Sequence, residues 1–82
     1  MESKSLIEFL LEQGYENVCA LEDGTVVGTL ELMFTTAICI DLNWQSWDKR
    51  FCFKDREMAI TELSKLKTGD DEPTGYVARR HS

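Results

Sequence analysis

The chain has 82 residues, of which 43% are hydrophobic and 29% are charged, so its composition is that of a folded protein and not of a disordered tail. This length supports one small domain, and residues 1–82 are therefore interpreted as a single domain. Fifteen acidic and nine basic side chains give a formal net charge of −6, which disfavours phosphate backbones and anionic lipid as partners. It favours a basic partner, or none if the charge serves only to keep the surface solvated.

The start of the chain does not have the pattern of a secretion signal. Glu8 interrupts the apolar run from Leu6 to Leu11, and the longest uncharged apolar stretch, Leu32 to Ile40, is too short to span a membrane. Three cysteines are an odd number, which argues against a disulfide-stapled scaffold. We expect a cytoplasmic protein with no membrane association.

A short helix is predicted first, followed by a hairpin. Ser5 and Glu8 have capping-box spacing, and Gly14 followed by Tyr15 is typical of a helix that ends in a left-handed glycine. Strands are predicted at 17–22 and 25–33 around Asp23-Gly24, a dipeptide that favours a turn with positive φ at both central residues. Gly28 either weakens the second strand or marks a bulge. Between residues 32 and 36 the chain either bends into a new strand or continues as one long strand.

The segment from Ile38 to Phe53 is nearly symmetric about Gln45-Ser46, which predicts a second hairpin with strands at 35–44 and 47–53. Its apolar residues then share one face, and two tryptophans meet at the tip. The predicted pairs are Trp44 with Trp47, Leu42 with Lys49, Asp41 with Arg50, Ile40 with Phe51, Cys39 with Cys52, and Ile38 with Phe53.

A second helix is predicted from Arg56 to about Lys67, capped by Asp55 and ended by Gly69. An exposed turn at 70–75 and a candidate short edge strand at 76–78 follow. The order α-β-β-β-β-α, with this last strand, predicts an α+β fold: a small antiparallel sheet of two consecutive hairpins with both helices packed on one face.

Candidate catalytic and metal-binding residues are few. Cys39 and Cys52, opposite each other in the predicted register, are interpreted as small packing side chains in preference to a disulfide or to a zinc site completed by Cys19 and His81. His81 lies next to the C-terminus, where nothing holds it for acid-base work, and no nucleophile-base pair is present. We expect no enzymatic activity, no cofactor and no metal.

Two surfaces are predicted to bind a partner. The first is the hairpin tip, where Trp44 and Trp47 stack on each other as a staple, protrude as an anchor, or do both, with Asn43, Gln45, Ser46 and Asp48 at the polar rim. The second is an acidic surface suited to a basic partner. Its residues are Glu8, Glu12, Glu16, Glu22 and Asp23.

The segment Lys49-Arg50-Phe51-Cys52-Phe53, followed by an Asp-capped helix, resembles the aromatic third strand and second helix of RNA-recognition-motif domains. This resemblance implies nucleic-acid binding through that strand, with Arg79 and Arg80 adding charge. The acidic balance and the shared face of Phe51, Phe53, Ile38 and Ile40 favour a core role for the two phenylalanines instead.

A second resemblance runs through residues 34–38, the aromatic-Cys-aromatic strand 51–53, the acidic turn 69–75 and Tyr76-Val77. Over this C-terminal half the chain is similar to short uncharacterised proteins of bacteriophages and prophages. The resemblance implies a small inhibitor or regulator of a host protein, a class that includes anti-CRISPR proteins, acting in the host cytoplasm.

Together these patterns predict a small acidic, non-enzymatic protein-binding module, monomeric or homodimeric. Nucleic-acid binding through Lys49–Phe53 and self-association through free strand edges are the alternatives.

Overall fold

Each strand of this protein pairs with its neighbour in the chain. The computed structural model describes residues 5–81 and shows two helices and one five-stranded antiparallel sheet of order β1-β2-β3-β4-β5. The predicted α+β class and element order are confirmed, and the final strand is present at 78–81 rather than at 76–78. The elements are α1 (Leu6–Glu12), β1 (Glu16–Ala20), β2 (Val26–Glu31), β3 (Thr36–Ile40), β4 (Lys49–Phe53), α2 (Arg56–Ser64) and β5 (Ala78–His81).

Both ends of α1 have the predicted signals. The Ser5 hydroxyl accepts a hydrogen bond from the N–H of Glu8 at 3.2 Å. At the other end Gly14 has φ +100°, and the N–H groups of Gly14 and Tyr15 donate to the carbonyls of Leu11 and Leu10. These two hydrogen bonds satisfy carbonyl groups in the last turn of the helix. A seven-residue helix does not persist alone, so α1 depends on its contact with the sheet.

The first hairpin has a longer turn than predicted. Only Gly24 has positive φ, while the N–H of Gly24 donates to Leu21 O and the N–H of Leu21 donates to Thr25 O. The expectation of positive φ at both central residues was wrong, because a single left-handed glycine after an ordinary turn closes this three-residue loop. Of the two alternatives for Gly28, the bulge is confirmed. The β1 register shifts between Glu16 and Cys19, and a Cβ on Gly28 would lie 3.1 Å from Val18 Cγ2.

The second hairpin is present, but its register differs from the prediction by two residues. Ile38 lies opposite Phe51, Cys39 opposite Arg50 and Ala37 opposite Cys52. The predicted pairs were therefore wrong, although the residues of β3 and β4 kept their faces, because side chains alternate with a period of two. Leu42 and Trp47, predicted on the face of Ile40, pack instead in the cluster that faces α1. The reason is a longer loop, residues 41–48, in place of a two-residue turn.

The helices pack on the sheet as expected, but on opposite faces rather than on one. Facing α2 is a closed apolar core formed by Val27, Ile38, Ile40, Phe51, Phe53, Ala59, Leu63 and Leu66. Facing α1 is a second cluster around Leu10, Ala37, Cys39, Leu42 and Cys52. All five residues of β3 are buried, so that both faces of the sheet need a cover. The core role predicted for Phe51 and Phe53 is confirmed.

The second helix begins as predicted and ends early. The Asp55 carboxylate accepts from the N–H of Glu57 at 3.0 Å. The helix stops at Ser64 rather than near Lys67, because Lys65 and Leu66 donate to carbonyls only three residues back and tighten the last turn. This tightening keeps Leu66 in the core.

Candidate functional site

The α1 face of the sheet is only partly covered, and a concavity of about 380 Å³ lies between α1 and the loop at 41–48. Four aromatic side chains line it, with polar side chains that include two glutamines. We call this concavity the aromatic pocket, and its defining residues are Phe9, Tyr15, Trp44, Trp47, Gln13 and Gln45.

The loop at 41–48 is held in one shape by a single asparagine. The side-chain oxygen of Asn43 accepts from the N–H of Gln45 at 2.9 Å and from the N–H of Ser46 at 2.8 Å, and the backbone N–H of Asn43 donates to Ser46 O. Asp41 enters the loop with φ +64°, a conformation that Asp tolerates better than most residues. These bonds place Trp44 over the pocket before any partner arrives.

The two tryptophans have different partners. The Trp44 ring packs on Phe9 with centroids 4.9 Å apart, and 53% of Trp44 remains exposed. The Trp47 ring is partly buried and lies 4.2 Å below the Arg50 guanidinium. The staple interpretation, in which the two indoles stack on each other, was therefore wrong, because the longer loop separates their positions. The anchor interpretation stays a prediction.

The other predicted rim residues divide. Asn43, Gln45 and Ser46 line the aromatic pocket beside the two tryptophans. Asp48 does not line it, because it lies at a small acidic depression with Asp23, Asp41 and Asp70. Its N–H donates to Ile40 O at 2.9 Å and closes the loop.

The predicted acidic residues do not form one surface. Glu8 and Glu12 lie on α1, whereas Glu16 is ion-paired at 3.4 Å with Arg56 at the start of α2. Glu22 and Asp23 lie at the β1–β2 turn, where the backbone N–H of Glu22 donates to Lys67 O.

Asp23 has a structural role at that turn. Its carboxylate accepts from the N–H of Gly69 at 2.9 Å and from the N–H of Thr25 at 3.0 Å. These hydrogen bonds, that from Gly69 first, lower the pKa of Asp23 below its usual range. The side chain therefore ties the first hairpin to the segment after α2.

A second concavity of about 590 Å³ lies on the same face, over β4 and β5. We call it the basic groove, and its defining residues are Arg50, Arg80, His81, Trp47, Leu32 and Ala78. Trp47 borders both concavities. Sequence reasoning named the two arginines but did not place them together, because the pairing of β5 with β4 is a long-range contact.

The strand proposed to contact nucleotides has its aromatic residues in the core. Phe51 and Phe53 are fully buried against α2, so they present no ring to a base. The basic residues also separate, because Lys49 and Arg79 lie on the α2 face while Arg50 and Arg80 lie on the α1 face. The structure thus removes the stacking residues on which the RNA-recognition-motif resemblance depended.

The three cysteines are free. Cys39 and Cys52 are buried in the cluster facing α1, which agrees with a packing role, and they are not opposite each other. Burial raises the pKa of Cys39, and its sulfur accepts a hydrogen bond from Arg50 Nε at 3.3 Å. The thiol of Cys39 therefore helps to orient that guanidinium.

Of the two alternatives for residues 32–36, the bend into a new strand is confirmed, and the turn there exposes two apolar side chains. Met33 and Phe34, which are 87% and 84% exposed, lie at the centre of the connection 32–35 between β2 and β3, which a hydrogen bond from Leu32 N–H to Thr35 O closes. Neither Met nor Phe is a usual turn residue, so the sequence of this segment does not indicate a turn. Only the alternation of the flanking residues could have located the bend. Phe9 was also not among the predicted site residues, because its sequence pattern shows a helix residue and not that its ring borders a concavity.

No protein family, no curated protein and no solved structure matches this chain. Neither helix among residues 5–81 has the length and apolar character needed to cross a bilayer.

Proposed function

We propose that this protein is a small acidic protein-binding module, without enzymatic activity, that holds its partner through the aromatic pocket. The observation that carries this proposal is the position of Trp44, half exposed and packed on Phe9 at the rim of a preformed concavity. Tryptophan is among the residues that most often dominate the energy of protein interfaces. A ring that is already oriented loses little conformational freedom on binding.

The dimensions and chemistry of the pocket support a side chain as its occupant. A volume of about 380 Å³ is at the small end of ligand sites, which span roughly 300 to 1,000 Å³. Aromatic walls with amide groups such as Gln13 and Gln45 fit an apolar side chain whose backbone lies at the rim. On a flat surface without this concavity, no partner side chain could be enclosed next to the Trp44 ring.

The partner is proposed to be a protein of the host cell, in keeping with the phage-type inhibitor or regulator that the resemblance of the C-terminal half implies. The net charge of −6 favours a partner that presents basic groups near the carboxylates of α1. Glu8 and Glu12 are the α1 carboxylates predicted to contact such a partner.

The test is affinity capture from a lysate of the native host with the wild-type chain and two variants. Trp44→Ala removes the exposed ring, and Met58→Ala is the matched control because Met58 is 46% exposed on α2, away from the pocket. Both variants remove a half-exposed apolar side chain, and circular dichroism establishes that both remain folded.

We expect a protein that wild type and Met58→Ala retain and that Trp44→Ala loses, with an affinity loss of about 2 kcal/mol for a central anchor. A partner that all three chains retain would contradict the pocket as contact surface. If the wild-type chain retains no protein at all, the proposed function is contradicted.

A further inference from the structure

We infer that the basic groove is a second binding site, which holds a carboxylate of an acidic peptide segment between Arg50 and Arg80. This site is separate from the aromatic pocket and does not depend on the function proposed for it. The two concavities share Trp47 as a common border.

The first argument is electrostatic. Arg50 and Arg80 are directly opposite each other on β4 and β5, and like charges in that position are destabilising unless an anion lies between them. Among residues 5–81 neither arginine has an ion-pair partner, whereas Arg56, Lys65 and Arg79 each pair with a glutamate. Within the described part of the chain no carboxylate neutralises these two guanidinium groups, so the groove can accept one from another molecule.

The second argument is preorganisation. The Arg50 guanidinium lies 4.2 Å from the centre of the Trp47 ring and donates from Nε to Cys39 Sγ at 3.3 Å. Both contacts fix the plane of the guanidinium, whose forked donors match the geometry of a carboxylate. An arginine that is already oriented loses less conformational entropy when the anion binds.

The walls of the groove distinguish a peptide from other anions. Leu32, Trp47 and Ala78 supply apolar surface beside the charges, and about 590 Å³ is more than a lone inorganic anion needs. A nucleic acid is disfavoured, because Lys49 and Arg79 lie on the opposite face and do not extend the charge into a stripe. The chemistry fits a short segment with an acidic residue next to an aliphatic one.

The experiment uses a fluorescein-labelled peptide of alternating glutamate and leucine, titrated with the full chain and followed by fluorescence anisotropy at low and at physiological salt. A peptide with glutamine in place of glutamate tests for charge, and a single-stranded oligothymidylate tests the nucleic-acid alternative. The variants are Arg80→Gln and Arg79→Gln. They are adjacent on β5, change the net charge equally and face opposite sides of the sheet.

We expect the acidic peptide to bind and Arg80→Gln to weaken its binding on the order of tenfold, since a charge-assisted hydrogen bond is lost. The peptide affinity of Arg79→Gln should stay within about twofold of wild type, because Arg79 lies on the opposite face and its surface ion pair contributes little. Trp44→Ala should keep wild-type affinity, which separates this site from the aromatic pocket.

The inference is overturned if the acidic peptide does not bind at low salt, or if the glutamine peptide binds equally well. Equal losses for Arg80→Gln and Arg79→Gln would show unspecific attraction and also overturn it. Tighter binding of oligothymidylate with the same dependence on Arg80 would assign the groove to nucleic acid instead.

Discussion

The two faces of the sheet are built from different side chains. The face toward α2 presents Ile38, Ile40, Phe51 and Phe53, which are large and fully buried. The face toward α1 presents Ala37, Cys39 and Cys52, which are small, beneath a helix of seven residues. Large residues fill the first interface, whereas small residues under a short helix leave two concavities on the second. We therefore expect most of the stability to come from the α2 face, while both candidate binding sites lie on the α1 face.

The largest predicted effect is a core truncation on the α2 face. Phe53→Ala should reduce the free energy of unfolding by about 3 to 5 kcal/mol, because it leaves a cavity in a closed core. Cys52→Ala, its neighbour on the α1 face, should cost about 1 kcal/mol. Urea denaturation measures both. Equal losses would contradict the assignment of stability to the α2 face.

The next effect concerns the docking of α1. Leu10 is the buried residue of that helix, so Leu10→Ala should reduce the free energy of unfolding by about 2 to 3 kcal/mol. Because Phe9 and Trp44 meet only when α1 is docked, partner capture should weaken as well. Leu63→Ala on α2 is the control, and we expect it to lower stability without changing capture by the folded fraction.

A smaller effect is expected at the helix caps. Ser5→Ala should destabilise α1 by about 1 kcal/mol, and Asp55→Ala should do the same to α2. Amide hydrogen exchange locates the change. We expect Ser5→Ala to speed exchange in α1 alone, since this helix contacts the sheet less closely than α2 does. Faster exchange throughout the sheet would mean that α1 belongs to the same cooperative unit as the core.

The smallest effect is pH-dependent. The pKa of Asp23 is lowered in the folded state by the N–H groups of Gly69 and Thr25. A lowered folded pKa contributes stability above the ordinary pKa of Asp, and this contribution is lost as the pH falls through the folded value. Asp23→Asn should therefore be less stable than wild type at neutral pH, and the difference should vanish in acid. Urea denaturation at a series of pH values checks this, and a difference that persists at the acidic end contradicts it.

The sequence predicts those features that neighbouring residues determine. The capping of α1 by Ser5, the glycine stop at Gly14 and the cap at Asp55 each depend on residues within one turn of helix. The faces of β3 and β4 were also predicted, since alternation alone assigns them.

Other features depend on distant contacts. The register of the second hairpin was wrong by two, because a shift of two preserves every face and only the bonds of Asn43 select the longer loop. Because β3 is buried on both sides, each face of the sheet requires a cover. The apolar run from Thr36 to Ile40 already indicated this, although both helices were predicted on one face. The basic groove depends on the pairing of Arg80 with Arg50, thirty positions away in the printed sequence.

Hydrogen exchange of the complex with the captured partner tests most directly whether the α1 face is the binding face. The account predicts slower exchange on binding in α1 and in the loop at 41–48, with no change in α2. Slower exchange in α2, around Met58, with α1 and the loop unchanged, would contradict it.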